Sequence, residues 1–449
     1  MESQRKRLLV VSYYFHPFGG QTSYWRTQTL LKLAKRNWDI SILRVKKDRY
    51  LGQIDDDMRV MPENLHIIRV ITFNPNQWID GFRQKRKAAG RDLNNNSVEN
   101  STQIKQRGVF RRLLLGLWYT VNWPDMRGSW MVNAFLAGLY SGIRSRPEVI
   151  YSICNPQSNI VTGYLLSVVL RVPLVIEYKD AWSVDTNFQK GRPGFLNRLD
   201  HVFDSLAIRR ASVILGVTPG LVERYKQKHL SARDKDWRVV THGYDEDEIA
   251  PYRCPLRSWE TPLRLVYAAT RLQVRSYSME GILSAIAMIN KDGIVRVRLD
   301  CYGHDTGASS LASSLGICDG SVIFHGVVSK SILIKAYQQS DVVCVLLNDT
   351  DWNRKKYTSK IFDLIASQRP ILACVPPEGM AAGLVKELGI GQVVANEDAE
   401  GIGKSMKIFI KQAENGGLDK YYDLSPKLKY ERERLVIQLE EAIKKAIVR

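Results

Sequence analysis

The sequence predicts an α/β fold built twice over, two doubly wound units in which apolar strands alternate with helices and lie in parallel sheets. Three observations carry that expectation. Runs such as Leu8-Leu9-Val10-Val11-Ser12 and Val342-Val343-Cys344-Val345-Leu346 are almost wholly apolar, as strands covered on both faces must be. Long, helix-compatible stretches separate them, which suits crossover connections rather than hairpins. A polar, proline-bearing connector at residues 245–262 divides the alternation into two sets.

In the first set, strand 8–12 leads into the turn-rich His16-Pro17-Phe18-Gly19-Gly20 and then a helix at about 22–36. Strands follow at 38–45, 65–70, 149–153, 174–178 and 211–217, with a helix at 160–170. The interval 77–112 breaks the pattern. It holds the polar Asn94-Asn95-Asn96-Ser97 and Asn100-Ser101-Thr102, read as a loop. The second set has strands at 263–268, 295–302, 322–325, 342–346, 371–375 and 392–395, and helices at 278–290 and 331–339. Residues 427–448 read as a charged closing helix.

A chain of 449 residues is long enough for two or three domains, and 45% hydrophobic with 25% charged residues marks an ordinary folded protein. Sixty-five basic against 46 acidic residues give +19, which suits phosphorylated substrates or an anionic surface. No zinc finger, aromatic-glycine RNA motif or heptad array accompanies the charge, so nucleic acid is not expected as a partner. The six cysteines are scattered, four of them in apolar or strand-like runs, which reads as buried thiols in a reducing compartment. The most apolar stretch, 164–178, is broken by Arg171 and Pro173, so no membrane span is expected. The amino terminus runs straight into a strand with no signal-peptide core, and a cytoplasmic location is expected.

Nine basic residues between Arg83 and Arg112, against Asp92 and Glu99, precede Leu113-Leu114-Leu115-Gly116-Leu117-Trp118-Tyr119. The combination fits a peripheral contact at a membrane surface. It fits equally a solvated loop followed by a core helix.

The densest chemistry lies in residues 356–373, Lys-Tyr-Thr-Ser-Lys-Ile-Phe-Asp-Leu-Ile-Ala-Ser-Gln-Arg-Pro-Ile-Leu-Ala. Lys360 and Asp363 stand one helical turn apart on a shared face. Thr358 and Ser359 are placed to cap the helix start, where free backbone N–H groups can meet an anion. A cation there suits a diphosphate, and a carboxylate one turn deeper suits ribose hydroxyls. A helix-to-strand corner with a surface lysine is the simpler reading of the same residues. The segment resembles the donor-site helix of the GT-B retaining glycosyltransferases of the large family 4 type, which include cell-envelope and O-antigen enzymes.

The resemblance extends, in order, along residues 8–425. Gly19, Gly20 and Arg26 are similar to an acceptor-side loop, although a glycine pair after a first strand is often only structural. Tyr151 to Ser158, with Asn155, is similar to a second acceptor-side loop. Glu177-Tyr178-Lys179-Asp180-Ala181-Trp182 ends a buried strand and resembles the family's Asp-Phe-Arg-Asp-Pro-Trp. Asp180 there can take a proton from an acceptor hydroxyl, or else orient Lys179 or cap the next helix. Val239 to Asp245 resembles a hinge motif, with His242 for the usual Asn, Gly243 in the turn and Asp245 as a cap. Arg271 and Arg275 follow a second-unit strand where the family grips the donor diphosphate, a task suited to guanidinium. His325-Gly326-Val327-Val328 and Asp341 match the turn whose backbone reads the nucleotide base, and its aspartate.

The resemblance therefore implies two Rossmann-like domains facing across a cleft, with a C-terminal helix crossing back. Residues 1–250 would form the acceptor-side domain, 251–425 the nucleotide-sugar domain and 426–449 the helix. It implies Asp180, Arg275 and Lys360 as catalytic residues. Gly20, Arg271, Arg275, Gly326, Val328, Thr358, Ser359, Lys360 and Asp363 would bind the donor, and Gly19, Arg26, Asn155 and Lys179 would lie on the acceptor side. No metal and no cofactor are called for. The family's acidic pair is incomplete, because Lys355 stands eight residues before Asp363 where a glutamate is usual.

The first functional expectation is a retaining transferase that uses a nucleotide-diphosphate sugar, with UDP the expected nucleotide. Its acceptor would be a saccharide or lipid-linked saccharide in surface polysaccharide synthesis, reached at the inner face of the plasma membrane. The alternatives are a UDP-sugar 2-epimerase of the same fold and a non-catalytic nucleotide- or glycan-binding subunit. The chain's seven histidines show no cleft-forming cluster with acids of the kind an epimerase needs.

Overall fold

The computed structural model describes residues 5–18, 21–47, 61–72, 116, 118–184, 192–245, 261–273, 278–317, 320–355 and 357–448. The expectations for Gly19, Gly20, Arg275, the basic stretch 83–112 and most of 113–117 lie outside the described residues. The chain divides into two units, Met1–Val240 with Val436–Arg449, and Thr241–Leu435.

Unit 1 runs β1 (Lys6–Val11), α1 (Gln21–Ala34), β2 (Trp38–Val45), β3 (Leu65–Val70), α2 (Gly128–Ser145), β4 (Val149–Cys154), α3 (Ser158–Leu170), β5 (Leu174–Tyr178), α4 (Gly194–Arg210), β6 (Val213–Gly216), α5 (Pro219–Lys228) and β7 (Asp236–Val239). Its seven strands lie in the order β3-β2-β1-β4-β5-β6-β7, every neighbouring pair parallel. Apolar runs become central strands because both faces are covered: all residues of β4, β5 and β6 are buried. Each fully buried aliphatic side chain contributes roughly 1.5–3 kcal/mol. Helix α2 packs against α3 through its small residues. A Cβ added at Gly138 would lie 2.6 Å from a Leu166 methyl and 2.8 Å from a Leu43 methyl, so only glycine lets the helix sit this close.

Unit 2 continues with β8 (Leu263–Arg271), α6 (Glu280–Ile289), β9 (Val297–His304), α7 (Ala308–Ser314), β10 (Val322–Phe324), α8 (Lys330–Gln338), β11 (Val342–Leu346), α9 (Asp351–Arg354), α10 (Lys360–Ala366), β12 (Ile371–Cys374), α11 (Met380–Leu388), β13 (Gly391–Val394) and α12 (Ala399–Glu414). Its six strands are parallel in the order β10-β9-β8-β11-β12-β13. Four buried free cysteines, Cys154, Cys301, Cys344 and Cys374, sit in these strands as small apolar side chains.

The last helix, α13 (Arg432–Val448), begins in unit 2 and ends in unit 1. Within unit 1, Glu440 accepts from Arg36 Nε at 2.7 Å and from Trp38 Nε1 at 3.1 Å, and Lys445 pairs with Asp236 at 2.8 Å. The helix starts at Arg432 rather than 427 because the preceding backbone is engaged elsewhere. Tyr430 O accepts from Tyr244 N, and Arg432 N donates to Tyr244 O.

Strand β7, absent from the sequence reading, is polar (Asp-Trp-Arg-Val) and lies at the sheet edge, where burial does not demand an apolar run. Helices α2 and α4 were also missed. Both oxygens of Asp245 accept from Arg432 Nε, at 2.8 and 2.9 Å, and the segment it was expected to cap lies outside the described residues. Gly243 serves a close approach, since a Cβ there would lie 2.1 Å from Tyr430 O.

Candidate active site

In open parallel sheets, ligands collect at the carboxyl ends of the strands where the strand order reverses. That point lies between β8 and β11 in unit 2, and between β1 and β4 in unit 1.

In unit 2, Lys360 occupies the first position of α10 and reaches the end of β8, where its Nζ donates to Ala268 O at 3.1 Å. Burial draws its pKa down to about 8, opposed by the neighbouring Asp363 carboxylate. Asp363 lies 3.8 Å from Lys330 Nζ, and shares the α10 face with Lys360 as the spacing predicts. Arg271 ends β8 and is exposed. Gly326 and Val328 follow β10 at the same edge of the sheet, and Gly326 adopts φ +71° while its carbonyl accepts from Gly303 N. Asp341 lies instead at the amino end of β11, where its carboxylate accepts from Arg264 N at 2.7 Å, a role in strand pairing.

The expected capping of α10 is corrected. Ser359 sits at the cap in helical conformation with no side-chain cap bond, and the Thr358 hydroxyl is buried without a hydrogen-bond partner. The N–H groups of Ile361 and Phe362 are already used, donating to Thr358 O and Ser359 O. The cation at this helix start is therefore the lysine side chain rather than a ring of free amides.

A polar network not foreseen from sequence pins the chain on both sides of residues 274–277. Gln273 Oε1 accepts from Met279 N, and Asn348 Oδ1 accepts from Ser278 N, each at 2.7 Å. Asn396 Nδ2 donates to Ser278 O and to Asn348 Oδ1, each at 2.9 Å. Its members come from the ends of β8, β11 and β13, too far apart in sequence to form a recognisable motif.

In unit 1, Arg26, Asn155, Lys179 and Asp180 gather at the ends of β4 and β5. Arg26, almost fully buried on α1, donates through Nη2 to Asn155 O and lies over the Tyr14 ring at 5.7 Å. Asn155 Nδ2 donates to Asp180 at 3.3 Å, leaving Asp180 exposed yet held. The fixed point is Glu177, which sequence reading passed over. Buried within β5, it accepts from the Tyr151 hydroxyl, pairs with Lys179 and faces Arg26. A glutamate inside Leu-Val-Ile-Glu-Tyr was the available signal, because a buried carboxylate must be paired.

Asp-x-Asp triplets occur at Asp55–Asp57, Asp245–Asp247 and Asp349–Asp351. In the last, Asp349 is bound by Arg354 at 2.6 Å and Asp351 by Lys355 at 2.8 Å. Among the described residues no three His, Cys, Asp or Glu side chains gather in a way that could hold a metal ion.

No family model and no curated protein matches the chain. Solved structures do. Sucrose-phosphate synthase from Thermosynechococcus elongatus is similar at 14% identity and a TM-score of 0.64, covering 99% of this chain and 100% of that one. HepE of Anabaena, solved in complex with UDP, is similar at 14% identity and 0.62, covering 98% and 99%. A putative UDP-N-acetylglucosamine 2-epimerase from Listeria monocytogenes is similar at 11% and 0.52, covering 98% and 96%. These likenesses extend over nearly the whole of each chain, and at such identities they show the fold: two Rossmann-like α/β units of the GT-B class.

Proposed function

We propose that the chain is a retaining, metal-independent glycosyltransferase that moves a sugar from a nucleotide-diphosphate sugar, UDP in the first instance, to a saccharide or lipid-linked saccharide. The observation that carries this reading is Lys360, a partly buried ammonium fixed at the end of β8 where the strand order of unit 2 reverses. Unit 2 takes the donor. Lys360, with Arg271 and Arg275, neutralises charge building on the departing diphosphate, which is the term of greatest weight in such transfers. Asp363 holds the ribose, the backbone at Gly326 and Val328 reads the base, and Thr358 and Ser359 lie beside the phosphates. Unit 1 takes the acceptor beside Gly19, Gly20, Arg26, Asn155 and Lys179, and Asp180 receives the hydroxyl proton. Retention and a place in surface polysaccharide synthesis at the cytoplasmic membrane face follow from the resemblance. The UDP bound to HepE supports the choice of nucleotide. No helix among the described residues is long and apolar enough to cross a membrane, so contact there would be peripheral.

The test is incubation with a panel of UDP-sugars and saccharide acceptors, with and without EDTA, following UDP release and the anomeric configuration of the product. UDP release, a retained anomer and indifference to EDTA are expected. An isomerised sugar without UDP release would mean the 2-epimerase reading, which the likeness to the Listeria protein keeps in view. Binding without turnover would mean a non-catalytic subunit, and activity lost to EDTA and restored by Mg²⁺ would refute the metal-independent site.

A further inference from the structure

The outer face of the helix layer α2, α3 and α4 in unit 1 is apolar and cationic at once. On α2, Val132, Leu136, Tyr140 and Ile143 recur every three or four residues and so form one stripe, at 58, 57, 64 and 63% exposure. On α4, Phe195, Arg198, Val202, Leu206 and Arg209 share a stripe in the same way, all exposed. Helix α3 packs against both neighbours and ends in the exposed Val168 and Val169. An ordinary surface helix turns charge to water and apolar residues inward; here large apolar side chains face out, while Ala134, Gly138 and Gly142 face in.

The charge on this layer has one sign. The three helices hold two carboxylates, Asp200 and Asp204, and both are fully buried and bonded, Asp200 to Arg192 and Asp204 to Tyr178. The exposed charges are Arg144, Arg198 and Arg209, with Arg146 and Arg171 at the ends of α2 and α3. Arg144 Nη1 donates to the Tyr140 hydroxyl at 2.6 Å, so the aromatic stripe ends in a polar, cationic head. A self-complementary contact between two copies would bring these arginines against one another. A surface that is anionic outside and apolar beneath satisfies both halves of the pattern: headgroups meet the arginines and the stripes enter the acyl boundary.

We propose that the α2–α4 face docks unit 1 on an anionic lipid bilayer. None of the residues that form this face is among those assigned to the proposed active site. The proposal deepens the peripheral-membrane part of the functional reading, but it stands without any catalytic activity.

The test is co-sedimentation with vesicles of phosphatidylglycerol and phosphatidylcholine in equal parts, against phosphatidylcholine alone. Wild type should bind the anionic vesicles at low salt and release them as salt rises. Leu136→Glu with Ile143→Glu should weaken binding tenfold or more. Arg144→Gln, Arg198→Gln and Arg209→Gln together should weaken it on the order of a hundredfold at low salt. The altered side chains are exposed, so circular dichroism and melting should match wild type, and UDP affinity by calorimetry should not change. Both variant sets binding vesicles as wild type does, or wild type ignoring anionic vesicles at low salt, overturns the proposal. Loss of self-association in Leu136→Glu with vesicle binding intact would give the face to a second copy and likewise overturns it. Failure of wild type to bind UDP would count against the glycosyltransferase reading and leave the vesicle result standing.

Discussion

Lys360→Met removes one charge from the donor unit while keeping an aliphatic side chain of similar length. Its ammonium donates to Ala268 O at 3.1 Å, and burial holds its pKa at about 8. At pH 7, one unit lower, roughly nine in ten molecules carry the charge. One unit charge about 4 Å from a phosphate oxygen contributes about 4 kcal/mol at an effective dielectric of 20, and losing one preorganised group of this kind costs about 3–4 kcal/mol. The kcat/KM for UDP-sugar should therefore fall about 10²- to 10³-fold. The fold should tolerate the change: the Ala268 carbonyl loses one donor, about 1 kcal/mol, while a desolvation cost disappears with the ammonium. The sign with pH follows from the lowered pKa. Raising pH through about 8 discharges Lys360 in wild type, so UDP affinity measured by calorimetry should weaken between pH 7 and 9, and the methionine variant should show no such slope. A kcat/KM within a few-fold of wild type, or the same pH slope in both proteins, would refute the assignment.

Asp363→Asn should weaken nucleotide affinity more than it lowers turnover, since a ribose contact acts in ground and transition states alike; unchanged affinity in calorimetry would count against it. The buried pair Asp204 and His229, 3.9 Å apart, makes opposed contributions to stability. Burial raises Asp204 from 3.8 to about 6, a contribution that declines as pH rises through that window, and lowers His229 from 6.5 to about 4, a contribution that grows. Asp204→Asn removes the declining part, so urea unfolding should show stability climbing by about 3 kcal/mol from pH 4 to 6.5, relative to a flatter wild type; parallel pH curves would contradict the argument. Gly243→Ala should destabilise by about 1–3 kcal/mol, because its Cβ would lie 2.1 Å from Tyr430 O, and an unchanged urea midpoint would show that the backbone there yields.

Central strands were the most legible part of the fold. Strands 38–45, 65–70, 174–178 and 342–346 match their observed bounds; 174–178 and 342–346 are buried throughout, as strands covered on both faces must be, whereas 65–70, at the sheet edge, leaves His66 and Arg69 exposed. Boundaries drifted where tertiary pairing extends a strand, as in β8, which continues past Ala268 through an irregularity to pair Arg271 with His304. Helix α2 carries apolar residues on nearly every side, so its sequence shows no clean helical stripe.

What the sequence by itself determined was the repeated α/β alternation and the neighbourhood of Lys360 and Asp363, since both depend on local spacing. The tertiary structure decided which distant groups share a charge or a bond. Glu177 binds Tyr151 and Lys179, Asp245 is taken by Arg432 across 187 residues, and Asn348 ties Ser278 to Asn396. A buried carboxylate or amide must find its partner wherever the fold brings one, and sequence distance carries no record of that meeting. The single-signed face of α2–α4 has the same origin: Asp200 and Asp204 count as acids in the sequence, and only folding takes them out of the surface.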